Sequence, residues 1–305
     1  MGSQVYDDLK RFIRGEILQR VSLRDHTTYK IGGEAQLFVS PADLEDLRGL
    51  NAYLVAKNLP HFVLGGGANL LVSDSGFQGV MVHLKTFNDL SFSGSTVTAG
   101  AGLVLDEFIV ACLRRNLGGL ERLSGIPGFL GGALRMNAGA FGSEISDYLI
   151  SVECMDSRGR RKVLAKAQVD FSYRKAPRIQ ETYITGATFC FPTATKEALF
   201  IAREEILIRR RERQPWQYPT AGSVFKRPPG HYAGKLIEDV GLKGKVLGRA
   251  QISPKHAGIV INLGGARAAD VLGLIQRAQA EVFKQFRITL ELEQELVGFD
   301  TASFL

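Results

Sequence analysis

Gly65-Gly66-Gly67-Ala68-Asn69-Leu70-Leu71-Val72 is the stretch whose reading decides the fold. A short apolar strand, Phe62 to Leu64, leads into it, and Leu70 to Val72 reads as a second strand leaving it. Consecutive glycines let the backbone turn sharply and aim several N–H groups into one concavity, which suits a phosphate. Asn69 offers a side-chain donor beside them. A tight strand-to-strand turn is the competing reading, because short glycine motifs are weak alone. Two familiar nucleotide loops are excluded. No Gly-Lys-Ser/Thr follows, and Gly-x-Gly-x-x-Gly fails at its third glycine, with a strand where the dinucleotide fingerprint requires a helix.

Two more glycine loops lie downstream: Ser124-Gly125-Ile126-Pro127-Gly128-Phe129-Leu130-Gly131-Gly132-Ala133 and Asn137-Ala138-Gly139-Ala140-Phe141-Gly142. Glycine this dense is entropically unfavourable in a folded chain. Close backbone approach to a flat or charged ligand offsets that, and a flavin ring with its pyrophosphate fits. A loop packed tightly on the core is the plainer alternative. Three such loops in the first half favour one large cofactor.

Working outward, residues 5–19 place Val5, Leu9, Phe12, Ile13 and Ile17 on one helical face. A helix follows Ser40-Pro41 with the stripe Leu44, Leu47, Leu50 and Leu54. Residues 79–100 read as short strands and 103–116 as a helix. A hairpin spans Ile150 to Met155 and Lys162 to Leu164, and a strand covers 183–191. A long charged helix, 195–213, ends before Pro215. Helices at about 232–240 and 268–286 flank a strand at Ile259 to Asn262. The chain closes on an alternating strand, Ile288 to Val297, with Glu291, Glu293 and Glu295 on one face and leucines on the other.

The bulk numbers bound the class. At 305 residues two or three domains are expected. Hydrophobic residues make up 45% and charged ones 23%, and no apolar run is long enough to span a membrane. The N-terminal MGSQVYDDLKRF lacks an apolar signal core, so no targeting segment is expected. Cys112, Cys154 and Cys190 are odd in number and far apart. They imply neither a disulfide framework nor a metal site, and a reducing compartment fits them. The net charge of +7 suits nucleic acid, a membrane surface or an acidic small ligand. The basic run Arg209, Arg210, Arg211 and Arg213 sits at a helix end, where cations suit the dipole. Aromatics are not interleaved with it, so nucleic acid is disfavoured and a phosphorylated small molecule preferred.

Taken in order and spacing, Thr27-Thr28-Tyr29-Lys30-Ile31-Gly32-Gly33 and the three glycine loops resemble the FAD-binding half of the UDP-N-acetylenolpyruvoylglucosamine reductases. Each motif is weak alone, and together they are specific. The resemblance implies an α+β architecture: a vanillyl-alcohol-oxidase-type FAD-binding fold of two subdomains plus a smaller α/β substrate-binding domain. Residues 1–76 and 286–305 would form the first FAD subdomain, 77–191 the second, and 196–285 the UDP-sugar domain. Non-covalent FAD would be held by Gly65, Gly66, Gly67, Ala68, Asn69 and Leu70. Gly125, Ile126, Pro127, Gly128, Gly131, Gly132 and Ala133 would join them, with Asn137, Gly139 and Ala140. The implied partners are NADPH and UDP-N-acetylglucosamine enolpyruvate, in a cytoplasmic, monomeric enzyme of peptidoglycan synthesis without bound metal. No His or Cys lies inside the glycine loops for a covalent flavin link.

The same resemblance gives roles to residues that read blandly alone. Arg174, in Phe171-Ser172-Tyr173-Arg174, reads by itself as a surface arginine beside packed aromatics. In the family, the arginine of this Tyr-Arg pair polarises the enolpyruvyl group. Ala176 stands where members usually have serine. Ser223, in Ala221-Gly222-Ser223-Val224-Phe225-Lys226-Arg227-Pro228, reads as a loop serine capping a turn and lies in no Gly-x-Ser-x-Gly elbow. The family reading makes it the proton donor, with hydride coming from N5 of reduced FAD. A hydroxyl acid needs nearby cations, and Lys226 and Arg227 are candidates. Tyr173, Arg213 and His256 join them as candidate substrate contacts, although a lone histidine is usually structural. Glu293 aligns with the family's catalytic carboxyl in Leu290-Glu291-Leu292-Glu293-Gln294-Glu295. The short run from Arg174 to Ser223 is similar to the subclass lacking an extra tyrosine loop. The rivals are an FAD oxidase or dehydrogenase acting on an unrelated alcohol or lactone, and a non-catalytic sugar-nucleotide binder.

Overall fold

The structure, a computed structural model, describes residues 2–300. Contacts divide the chain into two compact units. One comprises the chain up to Gln19, Leu37–Gly66 and Gly79–Arg210; the other comprises Arg20–Gln36, Gly67–Gln78 and the chain from Arg211 onward.

In the first unit, helix Leu44–Ala56 buries Leu47, Leu50 and Leu54 against Leu37, Val39, Val80 and Val82 of the neighbouring sheet. That four-stranded sheet runs in the order Glu16–Ser22, Glu34–Ser40, Phe77–His83, His61–Leu64, the last pair parallel. A second core fills the five-stranded sheet Arg161–Ala165, Leu149–Met155, Tyr183–Cys190, Thr96–Gly100, Leu90–Ser93. All its pairings are antiparallel. Phe108 of helix Leu105–Leu113 meets Phe189 at 5.4 Å between ring centres, and Phe189 stacks on Phe191 at 5.5 Å. Aromatic pairs of this geometry add to simple area burial.

The second unit is organised by helix Ala268–Phe286. Its stripe Val271, Leu274, Ile275, Ala278 and Val282 is fully buried. That helical spacing turns one face onto the antiparallel sheet Val246–Leu247, Ala250–Ile252, Val260–Asn262. Asp74 caps the helix from far along the chain, accepting from Ala268 N at 2.8 Å and Ala269 N at 3.1 Å. Strand Glu295–Val297 pairs in parallel with Leu70–Val72. The α+β class read from the sequence is what the molecule has.

Two sequence expectations are corrected here. The helix expected over residues 5–19 spans Gly2–Leu9 only, and Glu16–Ser22 is a strand. The Asp46 carboxylate intercepts the chain: it accepts from Arg14 N at 3.0 Å, Gly15 N at 2.7 Å and Ala42 N at 3.0 Å. These bonds pin residues 14 and 15 beside Ser40, so the chain leaves the turn at residues 10–13 toward the strand and does not resume the helix. The closing strand expected over 288–297 is regular only at Glu295–Val297. Leu292 makes an isolated bridge with Phe225, and a β-bulge, described below, breaks the alternation. Elements the sequence reading did not separate include strand Glu34–Ser40 and the short helix Leu130–Arg135 inside the glycine-dense stretch. Among the described residues no helix is long and apolar enough to cross a membrane.

The Asp46 side chain is 2% exposed. Burial alone would raise its pKa, but the N–H groups of Ala42, Arg14 and Gly15 and the Arg14 guanidinium outweigh it and hold it below the usual carboxylate range. A depressed folded value contributes stability above the unfolded pKa of about 3.9, lost as pH falls through the folded one. Asp46→Asn should therefore lower stability by about 1–3 kcal/mol near neutral pH. The gap between variant and parent should narrow below about pH 4. Chemical denaturation across this range checks both statements.

Candidate active site

The glycine loops of the first unit are built backbone to backbone. A Cβ on Gly66 would lie 2.6 Å from the Cα of Gly128, so no other residue fits there. Asp106, in the first turn of helix Leu105–Leu113, accepts from Gly125 N at 2.9 Å. Its other oxygen takes Arg203 Nη2 at 2.5 Å. The start of the second loop is thereby fixed by a half-buried ion pair. Beside it lies a cavity of about 60 Å³ whose walls include Gly65, Phe129, Gly131, Gly132, Arg135 and Thr182. Gly132 lines it although a Cβ there would meet nothing within 4 Å. The fold's own packing does not demand that glycine, whereas close approach of a ligand does. Ser124 Oγ and Asn137 Oδ1 are buried without a hydrogen-bond partner. Open glycine backbone, an apolar cavity and orphaned buried polar atoms fit FAD.

Asn137 connects this region to the Tyr-Arg turn. Fully buried, it donates from Nδ2 to Glu144 Oε2 at 2.6 Å and to Ser172 O at 3.2 Å. Ser172 and Lys175 exchange both backbone hydrogen bonds, so Tyr173 and Arg174 form the tip of a two-residue turn. Arg174 sits in the left-handed region, φ 55°, a conformation that persists when surroundings over-determine it. Here they do: Arg174 Nη2 donates to Gly139 O at 2.8 Å, and its guanidinium lies 5.0 Å from the Tyr173 ring centre. The arginine is half-buried against the third glycine loop and Tyr173 is exposed.

In the second unit, Ser223 and Glu293 lie on adjacent extended segments. Gly222, φ 73°, makes the left-handed turn before the exposed Ser223. On one side Ser223 bridges Ile259, and Val224 N donates to Gly258 O at 2.9 Å. On the other, Val224 O accepts from Glu293 N at 2.9 Å and Gln294 N at 3.4 Å. Two successive N–H groups on one carbonyl mark a β-bulge, a device that re-aims side chains. Asn69 Nδ2 donates to Glu293 O at 2.8 Å, and Asn69 O accepts from Glu295 N at 3.0 Å. The first glycine loop thus holds the segment carrying Glu293.

The remaining candidates divide by environment. Lys226 is paired with Glu291. The Arg227 guanidinium lies over Tyr232 at 3.9 Å. Arg213 is exposed at the end of helix Lys196–Arg213. His256 is used inside the fold: its Nδ1 accepts from Gly258 N at 3.1 Å, and burial lowers its pKa. Arg174 belongs to the first unit, and Ser223, Glu293 and the cations of residues 213–256 to the second.

Sequence reasoning missed several residues. The sequence places Arg210 in a basic run at a helix end, and the structure buries it to 5% exposure, with Nε and Nη2 lacking partners and Phe141 of the third glycine loop 5.4 Å from its guanidinium. Burial lowers its pKa to about 10, so it stays a cation at neutral pH. Its signal was its place on the stripe Leu199, Ile206, Leu207, Arg210. Arg135 and Thr182 in the cavity wall had no such signal. Gln294, 3% exposed, continues the leucine face Leu290, Leu292 in sequence, and a polar residue at a core position is itself a flag.

Comparison with known proteins agrees with this geometry. Residues 214–297 match the family model for the C-terminal domain of UDP-N-acetylenolpyruvoylglucosamine reductase, and residues 35–165 match an FAD binding domain. The UDP-N-acetylenolpyruvoylglucosamine reductase of Caldanaerobacter subterraneus subsp. tengcongensis is 41% identical across 98% of this chain and 99% of its own length. That of Listeria monocytogenes serotype 4a is 40% identical across 91% and 94%. The crystal structure of UDP-N-acetylenolpyruvylglucosamine reductase from Thermus caldophilus matches with a TM-score of 0.80 at 36% identity, covering 94% of this chain and 100% of that one. With likeness this extensive in both sequence and structure, the chain belongs to the UDP-N-acetylenolpyruvoylglucosamine reductase family.

Proposed function

We propose that this chain is an FAD enzyme that uses NADPH to reduce UDP-N-acetylglucosamine enolpyruvate to UDP-N-acetylmuramate. The observation that carries the reading is the pairing of the Ser223 and Glu293 segments through Val224 O. It puts a hydroxyl and a carboxyl on neighbouring strands, with Lys226 and Arg227 following on one of them. The three glycine loops and the cavity beside Gly132 would hold FAD, which when bound would supply the hydride chemistry.

The protein's own residues do the rest. Ser223 delivers a proton to the carbon next to the one that receives hydride. Between those two events the Arg174 guanidinium stabilises the enolate charge and the Glu293 carboxyl shares a proton with the enol oxygen, the kind of preorganised field that dominates many enzymatic accelerations. Arg174 suits the task because its guanidinium is already fixed by Gly139 O and needs little reorganisation. Lys226, Arg227, Arg213 and Tyr173 bind the sugar nucleotide, and residues 196–285 form the region that receives it. The buried cation Arg210 adds positive potential beside the third glycine loop. His256 supports the Ser223 segment through Gly258 and Val224.

Three outcomes follow. Ser223→Ala should keep NADPH-driven flavin reduction and slow reoxidation by the enolpyruvyl substrate by about 10²–10⁴-fold; stopped-flow absorbance separates the two halves. Reoxidation at the parent rate would remove Ser223 from the role of acid. Glu293→Gln should lower kcat by about a hundredfold or more with KM little changed, as for a group acting in the transition state. Compared with the parent in the flavin-free state, Gly132→Leu should leave the melting temperature equal or higher, since glycine is a poor helix former by about 1 kcal/mol. The purified variant should nevertheless have lost its yellow colour, and full flavin retention would show that the cavity is not part of the cofactor site.

A further inference from the structure

We propose that Gln294 is a positioning residue for the reaction, its carboxamide fixing the peptide groups that present Ser223 to the same substrate atoms that Glu293 serves. This rests on the roles assigned to those two residues above. Gln294 is 3% exposed and Tyr29 fully buried. The Gln294 Nε2 atom donates to Ala221 O at 3.2 Å and Gly222 O at 3.3 Å, and the Tyr29 hydroxyl lies 3.3 Å from both the amide oxygen Oε1, to which it donates, and Nε2. A carboxamide has two N–H donors and one carbonyl acceptor. Two carbonyls and one hydroxyl use that set, and flipping the amide would set its oxygen against two other carbonyl oxygens. Tyr29 is itself held, its backbone carbonyl accepting from Asn262 Nδ2 at 2.9 Å.

The consequence concerns geometry. Gly222 lies in the left-handed region, so the orientation of its peptide group decides where the next side chain, Ser223, leaves the backbone. That peptide's oxygen is bonded to Gln294. The carbonyl on the far side of Ser223, Val224 O, is bonded to Glu293 N. The serine is therefore bracketed, one residue before and one after, by two consecutive residues of the segment that carries the carboxyl. Packing does not require this arrangement. A leucine at 294 would continue the apolar face without burying a polar group, which is costly unless its hydrogen bonds are met. The polar brace instead sets one side chain's position relative to the other, and a misplacement near 1 Å is worth about a hundredfold in rate.

The test uses the flavin-loaded enzyme and Gln294→Met, which keeps length and apolar packing but neither donor. Flavin reduction by NADPH should proceed at the parent rate. Reoxidation by UDP-N-acetylglucosamine enolpyruvate should slow by about ten- to a hundredfold, through kcat and with KM little changed. A merely structural glutamine predicts a lower melting temperature with both halves intact, or both slowed alike; either result overturns the inference. Should Gln294→Met fail to fold, Tyr29→Phe decides. Removing that hydroxyl releases the amide oxygen, so a slowing confined to reoxidation supports the brace and unchanged reoxidation overturns it. Ser223→Ala run alongside keeps the two claims apart. If it blocks reoxidation while the brace variants do not, only the brace falls. If it reoxidises at the parent rate, the acid assignment falls and the brace with it.

Discussion

The parallel pairing of Leu70–Val72 with Glu295–Val297 is the contact on which the frame around Ser223 and Glu293 depends. It brings the end of the described chain to the strand that leaves the first glycine loop. Asn69 tightens the junction by holding Glu293 O and Glu295 N from a separation of more than two hundred residues. From there the order is transmitted by backbone hydrogen bonds from Glu293 and Gln294 to Val224 and from Val224 to Gly258, whose N–H in turn donates to the His256 ring. Ser223 and Glu293 stand on a frame made largely of main-chain bonds, whose positions tolerate far less drift than long side chains.

The two units solve different physical problems. The first exposes backbone, with loops that meet glycine against glycine and a cavity whose wall includes an unfilled Gly132. There the half-buried Asp106 holds Gly125 and Arg203 together. The second presents cations and a serine–carboxylate pair on short segments stiffened by helix Ala268–Phe286, itself capped from a distance by Asp74. A cofactor site needs close approach, and a proton-transfer site needs fixed donors. The sequence distributes glycine and charge accordingly.

Much of this was legible before any coordinates. Helix Leu44–Ala56, helix Ala268–Phe286 and the hairpin around Ser157–Gly159 follow from periodicity and turn chemistry. The motif order named the family. What the sequence hid has particular causes. The helical pattern does not run on to residue 19 because a carboxylate thirty-odd residues away takes the N–H groups of Arg14 and Gly15, and no local pattern encodes that. The closing strand looked regular because its letters alternate, but two of its N–H groups share one carbonyl. Arg210 and Gln294 were visible as polar letters on apolar stripes. Their signal was read as charge in the first case and passed over in the second.

The bond from Asn69 to Glu293 spans 224 positions, and that span orders events in time. During synthesis the flavin loops, their sheets and most of both cores emerge long before the acidic residue does. A ribosome-tethered chain therefore forms its flavin loops before Asn69 has the partner it bonds in the finished fold. The pairing of Leu70–Val72 with Glu295–Val297 is accordingly among the last contacts to form.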